Sequence, residues 1–480
     1  MSVRKSKGPA KGTKSRSRKP SGLEATLRPH AAGIDIHSRE HWVCVPEGAK
    51  KQHVDASSPE RLPANVRKFG TCTADLEQLA DWLNESGVKT VAMESTGVYW
   101  IPLFELLERR GFEVFLVDPR QTRQVAGRPK TDVLDCQWIQ RLHACGLLAA
   151  SFRPADETCV LRSYLRQRQV HIADAGRSIQ HMQKALQQMN VKLTEAVSDI
   201  TGATGTRIIK AILGGMRDPK MLAKFRDKQC KQSEEQIARA LQGNWRDEHL
   251  FALKQAFESY KFERRQLAKC DAVIEKYLKT LEDKSGGEIL EFKRQKHRKL
   301  NSTAPCFDAR QLLFQFSGAD LTIIEGIEQS TALTVLAEIG TDMSKWPTEK
   351  HFTSWLGLCP QHRGSAGRIK NRRLRGGANR ASRAFRLAAG GCHHAKNAMG
   401  AFYRRVQARA GGPKAVIATA RKIACRVYRL LKFGEPYVRQ QMQDYETAYR
   451  IKLTKGLARK AAELGYKLVP NEAEMPGSTA

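Results

Sequence analysis

The sequence predicts an α/β N-terminal domain, a helical coiled-coil middle and a mainly α-helical C-terminal domain. Three observations lead there. Between residues 31 and 152, strand-like and helix-like segments follow in the order βββ-α-β-α-β-α. From residue 165, apolar side chains recur every seven residues. Beyond residue 310 the pattern is helical and then strongly basic: Pro360 to Gly434 hold nineteen Lys or Arg and no Asp or Glu.

A chain of 480 residues suits two or three domains. Lys and Arg number 82 against 49 Asp and Glu, a formal charge of +33. Such an excess attracts and steers polyanions, so nucleic acid is the expected partner. Eight basic residues among the first twenty, with Gly, Ser and Pro, predict a disordered basic tail over 1–30 and no secretory signal. No run of eighteen apolar residues occurs, so no membrane span is expected. Eleven cysteines without a C-x-x-C pair argue against a disulfide framework or zinc ribbon and suit a reducing cytoplasm. Cys392, His393 and His394 in "GCHHAK" make a weak metal corner, because adjacent helical residues point about 100° apart.

In order, "AAGIDIHSREHWVCVP" alternates and is rich in β-branched and aromatic residues, which predicts two strands joined as a hairpin. "RKFGTCT" supplies a third strand, and "ADLEQLADWLNESG" has helical spacing ending at a glycine. "KTVAMES" and "FEVFLVD" are short buried strands, each followed by a helix, "VYWIPLFELLERRG" and "TDVLDCQWIQRLHACGLL". This is an α/β unit over 31–152. Leu165, Ile172, Ile179, Leu186 and Leu193, with Ala175, Met182 and Met189 between, then form a heptad seam. Leu253, Tyr260, Leu267, Ile274 and Leu281 repeat it, so 153–283 reads as a coiled-coil region with an insert. The two helices would fold back on each other or pair with a second chain. Residues 284–310 are charged and aperiodic, a linker; 311–437 form the C-terminal domain and 438–480 a helical tail.

Four carboxylates stand out. Asp35 lies within a strand, where alternation buries it unless it faces a cleft, and Glu94 ends another strand before a Ser-Thr-Gly turn. Strand tips of α/β sheets are where ligands are met. Asp132 and Asp135 lie one turn apart on the last helix of the same domain. An i, i+3 aspartate pair is more often a solvated face, and a glutamate after a strand is often a helix cap. Together, in one small unit of a very basic chain, the four point instead to a cation. If the first strand is central they converge, and two Mg2+ ions about 4 Å apart, with Mn2+ as an alternative, would neutralise them and clamp a phosphodiester.

The set "GIDIH", "MESTGVYW" and "GRPKTDVLDCQWIQRLHACGLL" resembles the N-terminal DEDD domain of the IS110 family of insertion-sequence transposases. "IIEGIEQSTALTVLAEIGTDMSKWPTEKHFTSWLGLCPQHRGSAGRIKNRRLRGGANR" resembles that family's second domain. The resemblance implies a RuvC-like, RNase H-like N-terminal fold with Asp35, Glu94, Asp132 and Asp135 as the metal-binding catalytic acids. It places a serine nucleophile after "GLCP", at Ser365, with Ser354 and Ser382 as the other serines to weigh. A covalent phosphoserine conserves the energy of the broken phosphodiester, so that a 3′-hydroxyl can rejoin strands. Arg363, Arg368, Lys370, Arg372, Arg373, Arg375 and Arg380 around it are expected to bind nucleic acid and offset charge on the attacked phosphate.

The resemblance further implies donor and target DNA as partners, a homo-oligomer (dimer or tetramer) whose protomers share acids and serine, a bridge RNA that reads the target by base pairing, and a cytoplasmic, nucleoid-associated prokaryotic location. No helix-turn-helix or zinc finger with base-reading residues is evident, and Lys and Arg alone recognise backbone. Near residue 326, "EGIEQ" suggests a helix-hairpin-helix with Glu328 in place of the second glycine. The alternatives are a junction-resolving nuclease, which needs the acids but not Ser365, and a non-enzymatic nucleic-acid scaffold.

Overall fold

Every residue of β1 (Ala31–Ile36) is buried, which makes it the middle strand of a sheet covered on both faces. The computed structural model describes residues 26–48, 62–122, 131–291, 303–360, 363–365, 368–371 and 379–469. The chain divides into two compact units, Met1–Arg153 and Pro154–Ala480. No helix among the described residues is long and apolar enough to cross a membrane.

In the N-terminal unit, β1, β2 (Glu40–Cys44) and β3 (Val66–Gly70) form an antiparallel meander. On its other side β1 pairs in parallel with β4 (Thr90–Glu94), which pairs in parallel with β5 (Glu113–Val117). The order is β3-β2-β1-β4-β5. A parallel crossover needs a helix, and α1 (Thr73–Glu85) and α2 (Trp100–Arg109) supply the connections. Their apolar stripes, including Leu79, Leu83, Leu103 and Leu107, pack on Ile34, Ile36, Val91 and Met93 of one sheet face. A short α3 (Pro119–Thr122), absent from the sequence reading, precedes α4 (Asp132–Ala144). Ile139 and Leu142 of α4 cover the opposite face at Ala92 and Val117.

Gly33 sets how closely α4 approaches. A Cβ there would lie 2.2 Å from the Gln140 amide nitrogen and 2.6 Å from the Cys136 carbonyl oxygen. Only glycine lets the helix backbone rest on the central strand. Of the tail expected over 1–30, residues 1–25 lie outside the described set. Leu27 and Arg28 belong to the fold: both backbone amides donate to the Ala144 carbonyl, and the Arg28 guanidinium covers the Phe115 ring.

The C-terminal unit is mostly helical. Its longest elements, α5 (Asp156–Gln188) and α10 (Asp247–Leu278), pair with each other within the chain. Tyr164 meets Tyr277, Arg168 meets Asp271 and His171 meets Glu263, so the helices run antiparallel. Leu165, Ala175, Met182, Leu186, Leu253, Tyr260, Leu267 and Ile274 are buried as the heptads require, whereas Ile172 and Ile179 are half-buried. The insert carries α6 (Leu193–Ala196), α7 (Ala203–Leu213), α8 (Pro219–Ala223) and α9 (Glu234–Ala240). Their Ile208, Ile212, Leu222 and Ile237 join Leu186 and Leu253 in one core at the hairpin tip.

The stretch read as a linker is tied down where it is described. The Cys306 amide donates to buried Asp271, and the Lys284 amide donates to the Gln315 carbonyl of α11 (Ala309–Ser317). Then follow α12 (Gln329–Ile339), α13 (Glu349–Trp355), the strands β6 (Arg363–Ser365) and β7 (Arg368–Asn371), α14 (Arg380–Gly391), α15 (Ala398–Ala410), α16 (Gly412–Phe433) and α17 (Glu435–Glu463). Phe352, with no exposed surface, sits among Trp346, Trp355, Phe385 and Tyr428, joining α13, α14 and α16.

Candidate metal centre

The register of β1 on β4 determines where the first carboxylates stand. Ile34 lies opposite Met93, so Asp35 and Glu94, one residue on, are neighbours at the ends of adjacent parallel strands. Alternation puts Asp35 on the same face as Gly33, the face α4 covers. The first turn of α4 delivers Asp132 there. Its N-cap Thr131 accepts the Leu134 amide at 3.2 Å, and the positive end of the helix favours acidic residues in that turn.

One cluster results. Asp35, His37 and Asp132 each offer a ligand atom, all within 4.8 Å of one another. His37 Nε2 lies 3.2 Å from Asp35 Oδ2 and 3.4 Å from Asp132 Oδ1. Asp35 is 8% exposed, and burial is the main cause that holds its carboxyl above the usual range. His37 opposes that shift, while the charges of Glu94 and Asp132 add to it. Glu94 is half-buried and accepts a hydrogen bond from the Thr122 hydroxyl at 3.0 Å. The Thr122 carbonyl accepts in turn from Trp138 Nε1 at 3.0 Å, which ties α3 to α4 behind the site. Asp135, one turn beyond Asp132, is half-buried and outside the tight cluster.

The sequence reading does not single out His37. A signal for it exists, since residues i and i+2 of a strand share a face. The donor set fits a divalent cation. Carboxylate oxygens suit Mg2+ or Mn2+, an imidazole nitrogen suits Mn2+ better than Mg2+, and crowded acids are relieved by a positive ion.

The C-terminal candidates are placed as follows. Ser365 is the last residue of β6 and pairs with Arg368 of β7, across a two-residue connection in a small antiparallel hairpin. Arg363 and Lys370 lie on the same two strands. Arg372, Arg373 and Arg375 lie outside the described residues. Arg380 is exposed and opens α14, whose N-cap Asn379 accepts the Ser382 amide at 3.1 Å. Ser354 is exposed on α13, and Ser382 is only 3% exposed, which leaves no approach for a phosphate.

Not all of the basic run faces solvent. Arg426 is ion-paired to Glu325, and Arg429 holds Glu349 through contacts of 2.6 and 3.0 Å. Arg404 donates to the carbonyls of His393 and Ala395. These cations serve the fold and are not part of a phosphate-binding surface. The Cys392 thiol is buried against the Ala388 and Glu325 carbonyls, and the His393 and His394 rings meet each other at 3.2 Å. Among the described residues those three form no metal-holding group.

Residues 32–191, which contain the whole N-terminal cluster, match the DEDD IS110 family profile, described as a transposase. Residues 319–404, which contain Ser365, match the profile described as transposase, IS116/IS110/IS902 family. No curated protein matches the chain.

Proposed function

The chain belongs to the IS110 family of transposases, and on that premise we propose that it cuts and rejoins the DNA strands of an insertion sequence at a divalent metal site, through a phosphoserine at Ser365. The observation that carries this reading is the convergence of Asp35, His37 and Asp132 at the sheet's C-terminal edge, beside Glu94. The strand order, with an antiparallel meander leading into two parallel strands, supports an RNase H-like fold for this unit. Asp35, Glu94, Asp132 and Asp135 hold the cation, and His37 adds a nitrogen ligand. When bound, a divalent ion supplies Lewis-acid stabilisation of charge on the scissile phosphate.

The residues of this chain then divide the work. The Ser365 oxygen attacks phosphorus; the Oγ–P bond forms as the bond to the 3′ oxygen breaks, and the serine proton ends on the released 3′-hydroxyl. In the second step an incoming 3′-hydroxyl attacks the phosphoserine and the proton returns to Ser365. Bond number and type are conserved, so no outside energy is needed. Arg363, Arg368, Lys370, Arg372, Arg373, Arg375 and Arg380 hold the strand by its phosphates. Such contacts carry no sequence information, so target choice falls to a bridge RNA that pairs with the DNA.

A nicked suicide substrate tests this directly. Wild-type protein with Mg2+ or Mn2+ is expected to form a covalent DNA adduct that survives denaturing electrophoresis. Ser365→Ala and Asp132→Asn are expected to form none. Undiminished cleavage by Ser365→Ala would turn the reading to a junction-resolving nuclease.

A further inference from the structure

The C-terminal unit contains a concavity of about 1000 Å3 between α15, α16 and α17. Gly411 alone separates α15 from α16, with φ of +87°, a left-handed turn that glycine takes without strain. Helix α16 then presents Lys414, Ile417, Ala418, Arg421, Lys422 and Cys425 to the hollow. Their spacing of three and four is one helical face, with apolar and cationic side chains interleaved. Across from it, α15 contributes Phe402 and Val406 and α17 contributes Tyr445. Most of these residues lie beyond the family match that ends at 404.

The charge is one-sided. Glu349, the one acid of the lining, is held by Arg429, and Arg426 is held by Glu325. The Lys422 ammonium lies 3.5 Å from the Tyr445 ring centroid and 4.7 Å from that of Phe402. Arg409, Lys414 and Arg421 are exposed and make no ion pair among the described residues. A cationic rim therefore surrounds an apolar floor with two aromatic rings. A duplex does not match this, because it buries its bases and offers phosphates on a convex surface. A single strand offers flat apolar bases and phosphates together.

We propose that this groove binds a single-stranded segment of nucleic acid, with bases on the Ile417–Ala418 floor and phosphates on Arg409, Lys414 and Arg421. It rests on the reading of the chain as a protein that exchanges nucleic-acid strands, and it names where an unpaired segment is held. The test uses full-length protein and fluorescence anisotropy with a labelled single-stranded oligonucleotide and its duplex at matched salt.

Ala418→Trp fills the floor and leaves the charge unchanged. It is expected to weaken single-strand binding about tenfold or more and duplex binding less than about twofold. Lys414→Ala with Arg421→Ala is expected to lower the salt dependence of single-strand affinity by one to two phosphate contacts. If Ala418→Trp lowers the melting temperature, Ile417→Gln carries the same comparison. Unchanged single-strand affinity in a folded floor variant, or a parallel fall for duplex, overturns the groove. Covalent adduct formation separates the two readings. An adduct with no floor effect removes the groove and keeps the catalysis, whereas a floor effect with no adduct does the reverse.

Discussion

Asp35 and Asp271 are both buried aspartates, one at a strand tip and one in a helical seam, and their surroundings are opposite. Asp271, 1% exposed, has Arg168 Nε 2.5 Å from one oxygen and the Cys306 amide 2.9 Å from the other. Arg168 is itself 3% exposed and also donates to the Thr303 carbonyl at 2.8 Å. The charges are closed on each other inside the molecule. Asp35 has His37 beside it, but Glu94 and Asp132 push its carboxyl up on top of the effect of burial. A buried carboxylate answered by a guanidinium and an N–H holds structure together. One crowded by further carboxylates is organised for a cation from outside.

The largest expected effect lies on the closed side. Asp271→Ala leaves Arg168 charged and buried, so urea unfolding of the C-terminal unit should show a loss of about 3–5 kcal/mol. Arg168→Met with Asp271→Leu removes both buried charges together and should recover part of it. A loss below about 1 kcal/mol for Asp271→Ala would make the ion pair incidental and the comparison empty.

A pH dependence comes next, and it belongs to the N-terminal unit. His143 is fully buried, and its pKa is lowered to about 4, first by burial and then by Arg28. Arginine can only donate, so Nδ1 accepts from Arg28 at 3.1 Å and Nε2–H donates to Thr90 Oγ1 at 2.9 Å, which is the neutral ring. The unfolded chain takes up its proton near pH 6.5, whereas the folded one resists to about pH 4. Stability is therefore full above the upper value and is lost as pH falls through the interval, on the order of 3 kcal/mol in all. Unfolding midpoints at pH 7.5 and 5 should differ less in His143→Gln than in wild type; equal differences would remove His143 as the cause.

The sheet is legible in the sequence because its strands are apolar runs whose ends announce themselves. Asp35 and Glu94 stand out as polar residues in buried strands, and spacing alone reveals the helix of Asp132 and Asp135. His37 is hidden among the charged residues of a hairpin, and α3 with Thr122 is too short to have a period. Heptads are read by their apolar members, so Arg168 and Asp271, which occupy buried positions of that seam, look like solvated ones. The basic run misleads in a similar way. Glu325, which holds Arg426, lies 101 residues upstream of it, and Glu349 lies 80 residues upstream of Arg429. The groove is not legible in the sequence, since Ile417 and Ala418 have the spacing of a core face and yet line an open hollow.

The smallest effect discriminates best, because it changes sign. Burial, Glu94 and Asp132 all disfavour the charged form of Asp35, a cost the folded state alone bears. Asparagine keeps the shape, and its amide can still bond to His37. Without metal, Asp35→Asn should therefore be more stable than wild type, by on the order of 1 kcal/mol, because it relieves both the burial of a charge and the like-charge crowding. Saturating Mg2+ or Mn2+ binds the folded wild type and raises its stability by mass action, and the variant has lost a ligand. The order of melting temperatures should then reverse, with wild type above Asp35→Asn. The same exchange at the closed site, Asp271→Asn, should lower stability with and without metal alike. If Asp35→Asn also destabilises the metal-free protein, or if the order survives saturating metal, the strand-tip cluster is another structural pair and not a cation site.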